Sequence, residues 1–204
     1  LWFVGDLVNR GPNGNLWIGQ AFVTSTNVNI GFFDVAGFDV VADYAWEIGD
    51  LGALDFGYRG TWLESFDQQP VPGAVVEECG GKWGGSCGRP RPEWKHTFNT
   101  TWTTPWDVQA VVGWRMVGEV SEFGEEDGGV VAGARHYLDL AGTWTPNWFG
   151  EETAITAGVS NALDRDPPVN GLFGNVSVYG NGNTIPATWD AMGRYYFVGL
   201  TQTF

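Results

Sequence analysis

The last eleven residues, Arg194-Tyr195-Tyr196-Phe197-Val198-Gly199-Leu200-Thr201-Gln202-Thr203-Phe204, alternate in chemical type. Tyr196, Val198, Leu200 and Phe204 fall on one face; Tyr195, Gly199, Thr201 and Thr203 fall on the other. Successive side chains of a strand point to opposite faces, so this is the pattern of a strand with one apolar face and one mostly small or polar face. Most chains end in a frayed polar tail. An aromatic strand in that place needs a partner for its backbone and an apolar medium for one face.

Composition narrows the class. Of 204 residues, 17% are charged and 15% aromatic, with 12 Trp and 31 Gly. A net charge of -14 excludes a general nucleic-acid binder, which needs a basic stripe. It also argues against docking on an anionic membrane surface. No apolar run approaches the roughly 20 residues of a transmembrane helix. Leu1-Trp2-Phe3-Val4-Gly5-Asp6 has neither the basic region nor the cleavage site of a signal peptide, so the sequence reads as cut from something longer.

Period two recurs along the chain. Phe38, Val40, Ala42, Tyr44, Trp46 and Ile48 share a face, opposite Asp39, Val41, Asp43, Ala45 and Glu47. Gly49 to Gly52 is a turn. Leu54, Phe56, Tyr58, Gly60 and Trp62 alternate with Asp55, Gly57, Arg59 and Thr61. A long loop spans Asp67 to Pro92. Trp94, His96, Phe98, Thr100 and Trp102 alternate with Lys95, Thr97, Asn99 and Thr101, and Thr103-Thr104-Pro105 turns. Val108, Ala110, Val112, Trp114 and Met116 alternate with Gln109, Val111, Gly113 and Arg115. Ser121 to Gly133 is a second long loop. Leu138, Leu140, Gly142 and Trp144 alternate with Tyr137, Asp139, Ala141 and Thr143; Pro146 to Glu152 turns. Ile155, Ala157 and Val159 alternate with Thr156, Gly158 and Ser160. Asp164 to Trp189 is the third long loop, before the terminal strand.

Phe22 to Ile48 reads as one long strand kinked at Gly31 and Gly37, where glycine suits a bulge. Leu1 to Gly19 reads as the tail of a preceding loop, which divides the chain into a loop remnant at 1–21 and a β-region at 22–204. The fold class is all-β: an antiparallel meander of about seven strands whose connections alternate short and long. Charged residues on the second face of strand after strand would be costly in a dry sandwich core and suit the wet lumen of a barrel. A soluble β-sandwich also alternates and is the competing architecture. An odd strand count and a start inside a loop predict that the barrel's N-terminal part lies outside this sequence, leaving open sheet edges.

The motifs then become specific. Thr26-Asn27-Val28-Asn29-Ile30-Gly31 with Ala36-Gly37-Phe38-Asp39, Pro92-Glu93-Trp94-Lys95-His96 with Thr101-Trp102-Thr103-Thr104-Pro105-Trp106, Gly158-Val159-Ser160-Asn161-Ala162-Leu163-Asp164-Arg165-Asp166-Pro167-Pro168, and Gly193-Arg194-Tyr195-Tyr196 to Phe204 together resemble the C-terminal β-barrel segment of a TonB-dependent outer-membrane receptor. Ala162-Leu163 stands where that family has Leu-Phe, and Gln202 where it has an apolar residue. The resemblance implies an incomplete part of a 22-stranded transmembrane β-barrel, about the size of plugged outer-membrane transporters. It implies uptake of a scarce nutrient (siderophore, haem, cobalamin or glycan) at the Gram-negative outer membrane. It implies contact with outer-membrane lipid and lipopolysaccharide, and with the TonB system through an N-terminal plug that this sequence lacks. It further implies that the barrel-assembly machinery reads the terminal strand, through Tyr196, Val198, Leu200 and Phe204. A small outer-membrane adhesin or porin-like barrel is the alternative, and a soluble carbohydrate-binding sandwich a third.

Candidate chemical sites are few. Cys79 and Cys87 lie in a Gly-rich loop that an exported protein would pass through an oxidising compartment, which predicts a disulfide. A metal site would need two more ligands in range. His96 and His136 sit near strand starts without a nucleophile beside them. Glu122, Glu125, Glu126 and Asp127 read as a solvated acidic tip. Asp39 and Asp43 read as lumen lining rather than a glycosidase pair. Gly171 to Gly174 and Gly180-Asn181-Gly182 lack the context of a phosphate loop. No catalytic, metal or cofactor residue is expected, so the chain is not expected to be an enzyme. Trp83, Tyr179 and Trp189 are candidates for stacking on a sugar or aromatic ligand.

Overall fold

The structure, a computed structural model, describes residues 7–16, 19–24, 31–124, 130–146, 153–170 and 182–202. Thirteen strands are assigned among them. They are β1 (Val8–Asn9), β2 (Phe22–Val23), β3 (Phe32–Glu47), β4 (Ala53–Gln69), β5 (Glu77–Glu78), β6 (Lys82–Trp83), β7 (Trp94–Thr103), β8 (Val108–Val117), β9 (Val120–Glu122), β10 (Val130–Ala132), β11 (Arg135–Trp144), β12 (Thr153–Ser160) and β13 (Tyr195–Gln202). No helix among the described residues is long and apolar enough to cross a membrane.

One sheet dominates. Its order is β13-β12-β11-β8-β7-β4-β3, and β5 adds to β4 as an eighth strand. Neighbours along this path follow one another in the chain apart from the short loop strands, and every pair is antiparallel. The seven-strand meander is therefore present as an open sheet, with β3 and β13 at its edges.

Local chemistry sets the hairpins. Ile48 N–H donates to the Gly52 carbonyl at 2.9 Å, and Gly49 and Gly52 take positive φ, which glycine adopts without a Cβ penalty. Between β7 and β8, the Thr104 N–H and hydroxyl both donate to the Val108 carbonyl, at 2.9 and 2.8 Å, and Asp107 turns at φ 58. These short connections leave one end of the sheet; the segments after β4, β8 and β12 leave the other.

Two boundaries differ from the sequence reading. Phe22 to Ile48 is not one strand. Phe22–Val23 pairs instead with Val8–Asn9, in register Val8↔Val23, and the long strand begins at Phe32. Alternation alone cannot tell a strand from two collinear pieces when no turn residue separates them. The other difference is β4, which runs through Gln69. Ala36 faces Ser65 and Gly37 faces Leu63, so Glu64 is an extra residue in β4, a bulge. A Cβ on Gly37 would strike the Trp62 carbonyl oxygen, which explains a glycine there.

Register carries one chemistry across the whole sheet. The apolar face runs Tyr44↔Phe56, Tyr58↔Phe98, Phe98↔Trp114, Trp114↔Leu138, Leu140↔Val159 and Val159↔Tyr196. Nothing among the described residues covers it: Tyr44 is 65% exposed, Val198 80% and Leu200 72%. An aromatic and imidazole belt crosses five strands at the long-loop end. It runs Phe38–Trp62 (6.4 Å between centroids), Trp62–Trp94 (5.8 Å), Trp94–His96 (6.1 Å), His96–Trp114 (4.5 Å) and Trp114–His136 (5.8 Å). The indole N–H groups of Trp94 and Trp114 donate to Nδ1 of His96 and His136 at 2.8 and 3.2 Å, so each histidine serves as an acceptor in the belt. At the other end, Trp102 packs edge-on to Trp106 and donates to the Leu51 carbonyl at 2.9 Å.

The buried core lies outside the sheet. Trp83, Val120, Ala132 and Trp189 form it, with Val117 and Ile185 packed alongside. These residues come from all three long loops. β6 pairs in parallel with β9, and β9 pairs with β10, so two loops share a three-stranded ladder and the third closes over it. The result is a compact cap at one end of an otherwise single-layered sheet.

Candidate functional site

The polar face is a connected network. Arg59 on β4 pairs with Asp43 on β3 at 3.0 Å, and Thr61 Oγ1 donates to Asp39 at 2.6 Å. Thr143 and Thr156 share a hydrogen bond of 3.0 Å between β11 and β12. Asp139 on β11 is the hub. It accepts from Arg115 at 2.6 and 3.1 Å, from Ser160 Oγ at 2.8 Å and from the Asn161 N–H at 2.8 Å. Charged groups so densely paired on a face with no covering layer are cheap to hold only where water reaches them.

Arg115 also reaches Asp190 at 3.1 Å. Asp190 belongs to the third long loop and follows buried Trp189, so this contact ties the cap to the polar face. Beneath it is a hollow of about 520 Å³, with Arg59, Thr61, Lys95, Thr97, Arg115 and Thr188 in its lining. Asp39 also lines it. Strands β3, β4, β7, β8 and β11 contribute the floor; Thr188 comes from the loop.

The first loop is held by several means. Cys79 and Cys87 are joined by a disulfide with a Cα separation of 5.4 Å. Beyond the Glu64 bulge, Phe66 and Gln68 turn toward this loop. Gln68 Nε2 donates to Glu77 at 2.9 Å and to the Ser86 carbonyl at 2.7 Å. The Arg91 guanidinium lies 3.9 Å over the Phe66 ring and donates to the Cys87 carbonyl. Hydrogen bonds from Ser86 and Gln68 hold the Glu77 carboxyl below the ordinary glutamate range.

The third loop begins with a built turn. Asn161 is fully buried at φ 50, its Nδ2 donates to the Arg165 carbonyl at 2.8 Å, and its Oδ1 accepts from the Arg165 N–H at 2.9 Å. Asp164 accepts from the Arg194 N–H at 3.0 Å and from its guanidinium at 3.2 Å, joining the end of β12 to the start of β13. Thus Asn161, Asp164 and Arg194, three residues of the quoted motifs, act together.

The expected ligand-stacking residues need correction. Trp83 and Trp189 are 3% and 1% exposed and form the core of the cap, so their rings are consumed by packing and offer no face to a ligand. A Gly-rich, Trp-bearing loop looks like a binding loop in sequence; here its Trp packs with Val120, Ala132 and Trp189 instead. Tyr179 lies outside the described residues. Of the terminal-strand residues, Tyr196, Val198 and Leu200 stand exposed on the apolar face of edge strand β13, and Phe204 lies outside the described residues. Asp39 and Asp43 are bonded to Thr61 and Arg59. Glu125, Glu126 and Asp127, Gly171 to Gly174, and Gly180-Asn181 lie outside the described residues. Among the described residues, no group of three or more His, Cys, Asp or Glu is placed to hold a metal.

Sequence reasoning did not single out Lys95, Arg115, Asp139 or Asp190. Arg115 and Asp139 were legible as polar-face positions in adjacent strands. Asp190 was not, since its place follows from how the loop folds back. Phe197 was also missed: it sits on the polar face opposite Gly158, where a Cβ would lie 2.7 Å from the Leu140 carbonyl oxygen and also strike the Phe197 ring.

No protein-family model, curated protein or solved structure matches this chain.

Proposed function

We propose that the chain is the C-terminal part of a TonB-dependent receptor barrel of the Gram-negative outer membrane, taking part in uptake of a scarce small nutrient. One observation carries the reading: a single-layered antiparallel sheet keeps an uncovered apolar face in register through seven strands while its other face is a network of ion pairs and polar side chains. In water such a face is an aggregation liability; against lipid it is the expected outside of a barrel.

Three further features support it. β7, β8 and β11 are each 10 residues long, matching the roughly 9–11 residues of a transmembrane strand. Phe38 and Trp46 mark opposite ends of the apolar face of β3, about 26 Å apart along the strand at ~3.3 Å per residue, close to the ~25 Å band between aromatic girdles. Two open sheet edges in lipid require further strands to satisfy their backbone groups. A soluble sandwich would need a second sheet over the apolar face, and the described residues contain none.

Fractionation of cells producing the protein tests this. It should stay in the outer membrane through carbonate extraction and run as a heat-modifiable band. A monodisperse monomer free of detergent would overturn the reading.

A further inference from the structure

We propose that the hollow beneath the cap is a subsite for an oxyanion, a carboxylate or phosphate borne by a small solute, with Lys95 as the charge that receives it. This rests on the reading of the polar face as the wall of a nutrient path.

The chain holds 10 Lys and Arg against 24 Asp and Glu, so cations are scarce. Three of the 10 nevertheless converge here. Arg59 and Arg115 lie directly opposite Thr97, one on each side, and Lys95 is the next residue along that face of β7. Residues opposite one another across strands stand about 5 Å apart at Cβ, so three like charges repel unless something answers them. Two are answered. Arg59 has Asp43 at 3.0 Å, and Arg115 has Asp139 at 2.6 Å and Asp190 at 3.1 Å.

Lys95 is not. It faces Thr61 on one side and Val117 on the other, and among the described residues it makes no ion pair or hydrogen bond. Asp39, the carboxylate in the same lining, lies two strands away and accepts the Thr61 hydroxyl. The two backbones are roughly 10 Å apart at a strand spacing of about 4.8 Å, and the side chains form no ion pair with each other. A lone ammonium beside the hydroxyls of Thr97 and Thr188 presents a set of several donors to an arriving oxygen. Charge-assisted bonds to carboxylate or phosphate complete such a set. The hollow, about 520 Å³, is within the size range of small-molecule sites. Because the site opens on the polar face, the anion arrives as a free solute and not as a lipid headgroup.

The chain has only two lysines, and the other, Lys82, lies in the cap. That makes amine footprinting self-controlled. Membranes from cells producing the protein are treated with a water-soluble acylating reagent in millimolar citrate, inorganic phosphate, or chloride at matched ionic strength, and each lysine is read by mass spectrometry. Citrate or phosphate should slow acylation of Lys95 by roughly tenfold, the effect of one charged hydrogen bond, and leave Lys82 unchanged. Protection by citrate alone assigns a carboxylate ligand; protection by phosphate alone assigns a phosphate. Equal slowing of both lysines, or none at Lys95, overturns the subsite. Labelling is read on whichever fraction holds the protein, so a soluble location overturns the receptor reading and an unprotected Lys95 overturns this one.

Discussion

Asn161 shows how much one side chain can organise. Its amide bonds both backbone groups of Arg165 while its own N–H is given to Asp139, so it links the loop turn to the ionic hub of the sheet. Asn161→Ala removes both side-chain bonds and leaves the Arg165 N–H and carbonyl inside the turn without partners. Two lost hydrogen bonds together cost about 1–3 kcal/mol, and the positive φ adds to it, so the variant should lose roughly 2–4 kcal/mol. Asn161→Gly relieves the φ but not the lost bonds and should recover only a fraction. Thermal melts of the strand signal by circular dichroism check this, and wild-type stability of the alanine variant would refute it. The Gly-x-x-Asn motif was legible as text, but the reason for its Asn was not, because Arg165 and Asp139 meet it only after the turn closes. Leu163 in the same turn is 54% exposed, so nothing packs tightly enough there to demand a larger ring.

Elements differ in how far sequence reveals them. The seven long strands were readable because one apolar and one polar face impose period two on every one of them. The cap was not, because β6, β9 and β10 are two or three residues long and pair across loops, one pair in parallel, which leaves no local pattern. Phe22 to Ile48 was misjudged for the opposite reason: its alternation is continuous, while the partner of Phe22–Val23 lies back at Val8–Asn9. The first loop yields two predictions at this scale. Cys79→Ser with Cys87→Ser opens an eight-residue separation, and chain entropy puts the cost at about 2–3 kcal/mol. The sheet should persist while limited proteolysis cuts between β5 and β7 several times faster; unchanged cutting would show that the disulfide is idle. The second concerns acid. Since Glu77 is held below its ordinary range in the folded loop, its contribution is complete above that range and is lost as pH falls through the depressed value. Proteolysis of the loop should therefore accelerate on acidification with wild-type protein, and Glu77→Gln should flatten that acid dependence.

At the scale of the whole molecule, neighbouring residues of one strand should behave in opposite ways. Val112 lies on the apolar face and is 42% exposed, and Val111 lies on the polar face. In an isolated sheet in water, an arginine at Val112 would be harmless or helpful. Against lipid near the midplane it costs about 2–4 kcal/mol, while Val111→Arg stays near neutral. Outer-membrane levels and heat-modifiability of the two variants should diverge sharply, and equal levels would remove lipid from the account. The sheet grows by hairpins whose strands are chain neighbours, so each can close soon after its second strand exists. The cap core joins Trp83 to Val120, Ala132 and Trp189, and so waits for residues scattered over much of the sequence. Long-range closures are entropically slow and come after local ones. The cap is thus a seal whose closing depends on residues far apart in the chain: until Trp189 docks, the disulfide loop lacks its packing partner and stays open to proteases, while a finished molecule is closed to them.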